Sequence, residues 1–132
     1  MKKSGILNSQ LSRIVASMGH TDKLVVADCG LPIPKKAEFV DLALTKDIPP
    51  FLTTLKIILE ELVVEEAIVA EELLSNKEYS AKVLELLKDV KVHSVKHEEF
   101  KELYRNGGNV AFVRTGEATP YANVILFSGV SF

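Results

Sequence analysis

The sequence predicts a single α/β layered domain over residues 1–132, built on a mainly parallel sheet. Three observations predict it. Short continuous apolar runs of strand length alternate with stretches whose apolar residues recur at helical spacing. The intervening helical stretches are about ten residues long, which suits crossover units between parallel strands. The chain fits one compact domain, and no repeat, low-complexity tract or linker-like stretch divides it.

Taken in order, Leu7, Leu11, Ile14, Val15 and Met18 trace a first helical face, with Asn8 or Ser9 as N-cap and Gly19 as its stop. Leu24 to Ala27 is a continuous apolar run, the mark of a strand buried on both faces. Gly30, Pro32 and Pro34 turn the chain into a loop, and Phe39 to Leu44 reads as a second strand. Pro49 and Pro50 stand where a helix can begin, since the first helical residue needs no backbone donor. Phe51, Leu55, Ile58, Leu59 and Leu62 then form its apolar face.

Ala67 to Ala70 is a third strand, and Ser75 is placed to cap a helix running to about Lys88. Val90, Val92 and Ser94 alternate with Lys91, His93 and Val95, as in a strand with unequal faces. His97 to Arg105 reads as a helix ending at Gly107-Gly108. Val110 to Val113 and Tyr121 to Phe127 are the last two strands. Their turn-rich connection, Arg114 to Pro120, is too short for a helical crossover, so one of them is a candidate antiparallel strand.

With 47% hydrophobic residues the chain can bury a real core without a disulfide or metal. Cys29 is its one cysteine, which rules out an internal disulfide and a cysteine-based zinc framework and points to a reducing, cytoplasmic setting. No apolar signal region follows Met1 to Gly5, and no apolar run approaches the roughly 20 residues needed to cross a bilayer, so a membrane role is not expected. The net charge of −2, with basic residues scattered along the chain, argues against a nucleic-acid partner.

In open α/β sheets, ligands bind beyond the carboxyl ends of the strands. Asp28 directly follows one predicted strand, although an Asp before Cys29-Gly30 also suits a turn. His20 follows the helix-ending Gly19 and has a structural reading as a cap or surface residue. His97 and Lys101 share a helical face, yet His97 can simply begin its helix and Lys101 can simply pair with Glu98. Arg114 to Asn123 forms a further polar segment, while His93 reads as structural or solvated. Cys29 lacks a nearby cation in sequence to activate it and reads as a small packing residue. Neither G-x-G-x-x-G, nor G-x-x-x-x-G-K-[ST], nor H-E-x-x-H occurs. No cofactor or metal is therefore expected, and acid/base chemistry on a small polar molecule is the natural enzymatic option.

Several blocks together carry more than composition does. Lys2 to Ser9, Met18-Gly19-His20-Thr21-Asp22, and Ala27 through Pro34 stand in order along the chain. His97-Glu98-Glu99-Phe100-Lys101, Arg114 to Glu117, Thr119-Pro120-Tyr121-Ala122-Asn123 and Gly129 to Phe132 complete them. In this arrangement the whole chain resembles the D-ribose pyranase family. Cys29, where alanine is expected, is a departure of similar size, and Ser4 falls at a variable position.

The resemblance implies a three-layer α/β/α sandwich assembled into a ring-shaped homo-oligomer, an octamer or decamer, with sites shared between neighbouring subunits. It implies cofactor-free interconversion of the β-pyranose and β-furanose forms of D-ribose, beside ribose uptake and upstream of ribokinase. By resemblance, His20 is the general acid/base, and Asp28, His97, Lys101, Tyr121 and Asn123 bind the sugar. An imidazole suits the task because it both gives and takes protons near neutral pH. The nearest alternative is an L-fucose-type mutarotase, against which the Lys2 to Asn8 block and the His97 to Phe100 segment weigh. A non-catalytic ribose-binding subunit of a transporter is the alternative from another class. A nucleotide-binding α/β domain ranks last for want of a phosphate-cradling loop.

Overall fold

The computed structural model describes every residue, Met1–Phe132. The elements run α1 (Ser9–Ser17), β1 (Lys23–Ala27), β2 (Glu38–Asp41), α2 (Phe51–Leu59), β3 (Val64–Ala70), α3 (Glu71–Leu74) and α4 (Lys77–Leu86), then β4 (Lys91–Val95), α5 (His97–Arg105), β5 (Val110–Arg114) and β6 (Val124–Ser128). The six strands form one sheet in the order β2-β5-β1-β6-β3-β4. β6 is antiparallel to both β1 and β3, while the other three neighbouring pairs are parallel. Five strands therefore run one way and β6 alone runs against them.

Alternation along β1 divides the core. Leu24 and Val26 point into the larger cluster, with Leu11 and Ile14 of α1, Phe51, Leu55 and Ile58 of α2, Leu73 of α3 and Val83 of α4. Val25 and Ala27 point into a smaller cluster with Phe100 and Tyr104 of α5 and Phe112 of β5. The result is three layers, with several helices on one face of the sheet and α5 on the other. Because β1 is buried on both sides, a continuous apolar run suits it better than an alternating one.

The expected elements are present with shifted ends. Asn8 caps α1 by accepting from the Leu11 amide at 2.9 Å. Leu7, read above as part of that helical face, precedes the cap and is 62% exposed, while Ile6 takes the buried place. Asn76, one residue beyond Ser75, caps α4 through the Tyr79 amide. The short helix α3 was not anticipated, because four residues are too few to show a period. β2 ends at Asp41, and β6 begins at Val124 because Tyr121 holds a positive φ of 65° that no strand residue adopts.

Candidate active site

Reversal of β6 decides which residues meet. Its entry, Tyr121-Ala122-Asn123, lies at the edge where the five other strands end. Val26 pairs with Val124, which brings Asp28 beside Ala122 and Asn123. Asn123 is 0% exposed, and its whole side chain is turned on Asp28. Its Oδ1 accepts from the Asp28 amide at 2.8 Å, and its Nδ2 donates to Asp28 Oδ2 at 3.1 Å. Asp28 Oδ1 accepts from the Gly30 amide at 2.9 Å. Asp28 is thus the turn-former its sequence context allows, and it is also a fixed carboxylate. Each of its oxygens keeps capacity for a further donor.

Pairing of β3 with β4 places Val95 beside Ala70, so α3 and α5 both begin at this edge. Glu72 of α3 accepts from the His97 amide through both carboxylate oxygens, at 3.0 and 3.1 Å. It caps α5 from outside, since Lys96 offers no side-chain cap. The His97 ring stands edge-on to Tyr121 with 5.0 Å between centroids and stacks at 6.2 Å on Phe100. Its Nδ1 is buried without a hydrogen-bond partner, which is costly unless a ligand meets it.

Asp28, His97 and Tyr121 line one open cleft of about 220 Å³, walled by Gly30, Leu31, Pro32 and Pro120. Tyr121 remains 38% exposed there. Its left-handed backbone carries strain of the kind found at functional positions. Lys101 does not line the cleft. It stands one turn along α5, with its side chain 17% exposed, and pairs with Glu98 at 2.8 Å. Cys29 is partly exposed; its carbonyl accepts from Arg114 Nε at 3.1 Å, and its amide donates to the Glu117 carbonyl at 2.9 Å.

Behind the cleft, Glu117 organises the loop between β5 and β6. Its carboxylate is buried and accepts from the Phe51 amide at the start of α2, the Tyr79 hydroxyl, and the Thr119 amide and hydroxyl. Burial pushes this carboxyl up, but these hydrogen bonds outweigh it and hold the group below the usual glutamate range. Burial, with the Glu117 charge beside it, pushes the Tyr79 phenol well above its ordinary value. Sequence reading placed Glu117 in a motif without foreseeing this anchoring role, and it missed Glu72 entirely. The acidic pair Glu71-Glu72 just after the strand ending at Ala70, together with a helix at His97 that no Ser, Thr, Asp or Asn precedes as a cap, is the signal that would have pointed to Glu72.

His20 is elsewhere. It lies in the turn Gly19 to Asp22 that leads into β1, at the opposite edge of the sheet, where its Nε2 meets Glu65 Oε2 at 3.0 Å. The five residues of β1 separate it from Asp28 by about 16 Å of strand. The structure therefore gathers Asp28, His97, Tyr121 and Asn123, leaves Lys101 beside them, and sets His20 apart. His93 is exposed near Glu66 at 3.4 Å, as expected of a solvated position. Nowhere do three His, Cys, Asp or Glu side chains cluster closely enough to hold a metal, and no helix is long and apolar enough to cross a membrane.

Fold and site define an α/β protein with a small polar cleft where its parallel strands end and its single reversed strand begins. Comparison with known proteins is specific: the chain belongs to the RbsD / FucU transport protein family, whose profile matches residues 1–131. A D-ribose pyranase of Geobacillus thermodenitrificans is 52% identical, over 100% of this chain and 99% of its own. One of Coprothermobacter proteolyticus is 54% identical over 100% of both. Among solved structures, Bacillus subtilis RbsD complexed with D-ribose matches with a TM-score of 0.92 and 46% identity, covering 100% of both chains. FucU from Bifidobacterium longum matches with a TM-score of 0.74 and 26% identity, covering 96% of this chain and 97% of its own.

Proposed function

We propose that the protein is a D-ribose pyranase, an isomerase that interconverts the pyranose and furanose forms of free ribose without a cofactor. The observation that carries this reading is the full-length likeness to the RbsD that binds D-ribose, in a chain whose cleft presents Asp28, Tyr121 and the unpartnered Nδ1 of His97. Donors and acceptors on both sides of a cleft this small suit a polyol. The Tyr121 ring offers an apolar face to the sugar's C–H bonds.

Reaction requires one proton removed from the anomeric hydroxyl and one delivered to the ring oxygen. The bond from the anomeric carbon to that oxygen breaks as the carbonyl forms. Attack by a different hydroxyl on the carbonyl then closes the other ring, with the proton moves reversed. In this reading His20 is the general acid/base, a role typically worth ~10²–10⁴-fold. Asp28 and His97 hold the hydroxyls while the chain is open, Asn123 holds Asp28, and Lys101 contributes from the flank.

Separation of His20 from the cleft supports a shared site. A second copy bringing its own His20 to the cleft of the first would complete it, and the same contact repeated head-to-tail closes into a ring. The setting proposed is the cytoplasm, consistent with one unpaired cysteine.

NMR magnetisation transfer between the pyranose and furanose anomeric signals of D-ribose tests the reading. Trace protein should accelerate exchange, and His20→Ala should abolish most of that acceleration while binding of ribose persists. No acceleration with ribose but faster anomer exchange with L-fucose would reassign the substrate. Binding without any exchange would make the protein a sugar-binding subunit.

A further inference from the structure

We propose that Glu65 is a positioning residue for His20, and that it fixes the imidazole so that Nδ1 is the nitrogen that exchanges protons with the sugar. The inference rests on the assignment of His20 as the acid/base. An ionised carboxylate is an acceptor only. Nε2 at 3.0 Å from Glu65 Oε2 therefore keeps its proton and donates it, which leaves Nδ1 as the free nitrogen.

Both partners are anchored to the end of β6. On the histidine side, the Gly19 carbonyl accepts from the Asp22 amide at 3.2 Å, closing a turn whose third residue, Thr21, has φ 70°. The Gly19 amide donates to Asp22 Oδ2 at 2.8 Å, and the Thr21 amide donates to the Ser128 carbonyl at 2.8 Å. On the glutamate side, Glu65 lies against the bare backbone of Gly129, where a Cβ would approach its Cγ to 2.5 Å. The Gly129 amide is itself tied to the Val63 carbonyl at 2.8 Å.

Neighbouring carboxylates are otherwise engaged. Glu66 faces His93, and Asp22 serves the Gly19 amide and Asn109 Nδ2. Glu65 is thus the acceptor that faces His20. During turnover Nδ1 would take the anomeric proton as the carbonyl forms and return it to the released ring oxygen. Glu65 would stabilise the imidazolium between those moves and hold the ring against rotation, as an orienting carboxylate does in other histidine-based sites.

The test compares wild type, Glu65→Ala, Glu65→Gln and His20→Ala by ribose exchange kinetics over a range of ribose concentrations. ¹⁵N-labelled histidine spectra follow the His20 ring, with its signals identified by their loss in His20→Ala. In the wild type the proton should reside on Nε2. In Glu65→Ala that preference should disappear, and kcat should fall about 10- to 100-fold, the loss typical of removing the partner that orients a metal-bound histidine. KM should stay within about twofold, because Glu65 is not proposed to touch sugar. Glu65→Gln, whose amide oxygen accepts the same N–H, should retain more kcat than Glu65→Ala. A wild-type kcat in Glu65→Ala, a loss confined to KM, or a proton on Nδ1 in the wild type would overturn the inference while His20→Ala remained inactive. An active His20→Ala would instead overturn the acid/base assignment beneath it.

Discussion

Asn123 and Asp28 form a unit in which one residue is spent on the other. Asn123 has no exposed surface, and both ends of its amide hold Asp28. Asn123→Ala should leave the Asp28 amide without its partner and cost about 1–3 kcal/mol, the usual penalty for an unmet polar group. Thermal unfolding checks that loss, and ribose titration should show weaker binding because Asp28 is no longer held. His20→Ala should leave the unfolding midpoint nearly unchanged, since the side chain is exposed. At this scale the sequence named the cleft residues by their motifs, and the fold brings Asp28, His97, Tyr121 and Asn123 together. Their division of labour was not legible: nothing in a Tyr-Ala-Asn triplet says that the asparagine faces inward and the tyrosine outward. Likewise, the pairing of His20 with Glu65 spans 45 residues and depends on where β3 begins.

Glu117 acts on elements, since one carboxylate ties the start of α2 to Tyr79 of α4 and to the loop before β6. Its folded-state pKa lies below the unfolded value, so its contribution is complete above the usual glutamate value of about 4.3. That contribution is lost as the pH falls through this value towards the lower folded-state one. Glu117→Gln should therefore be less stable than wild type at neutral pH, with the gap narrowing below about pH 4. Urea midpoints measured across that range check it. Tyr79→Phe, which removes one of the donors, should cost about 1 kcal/mol at neutral pH.

The elements themselves were largely legible, because helical and strand periods are local. What was not legible follows from packing: Ile6 in place of Leu7 and Asn76 in place of Ser75 are shifts of one residue in phase. The late start of β6 reflects the left-handed turn at Tyr121 that aims its ring at the cleft.

Across the whole molecule, the order β2-β5-β1-β6-β3-β4 puts the reversed strand in the interior of the sheet, beside the strands that end in Asp28 and in α3. The short link between β5 and β6 hinted at a reversal, but not that β1 would stand between them. Sedimentation velocity should find an assembly larger than one chain, and dilution to stable single chains should abolish exchange. An active single chain would defeat the shared site.

Placement of His20 and the cleft at opposite edges has a genetic consequence. If every site draws its cleft from one copy and its histidine from the next, the two halves are separable loss-of-function groups. His20→Ala and Asp28→Ala, each inactive alone, should complement when co-expressed or when mixed and reassembled, because hybrid contacts pair an intact cleft with an intact histidine. The double variant mixed with either single variant should show no such recovery, because such a mixture lacks either every intact histidine or every intact cleft.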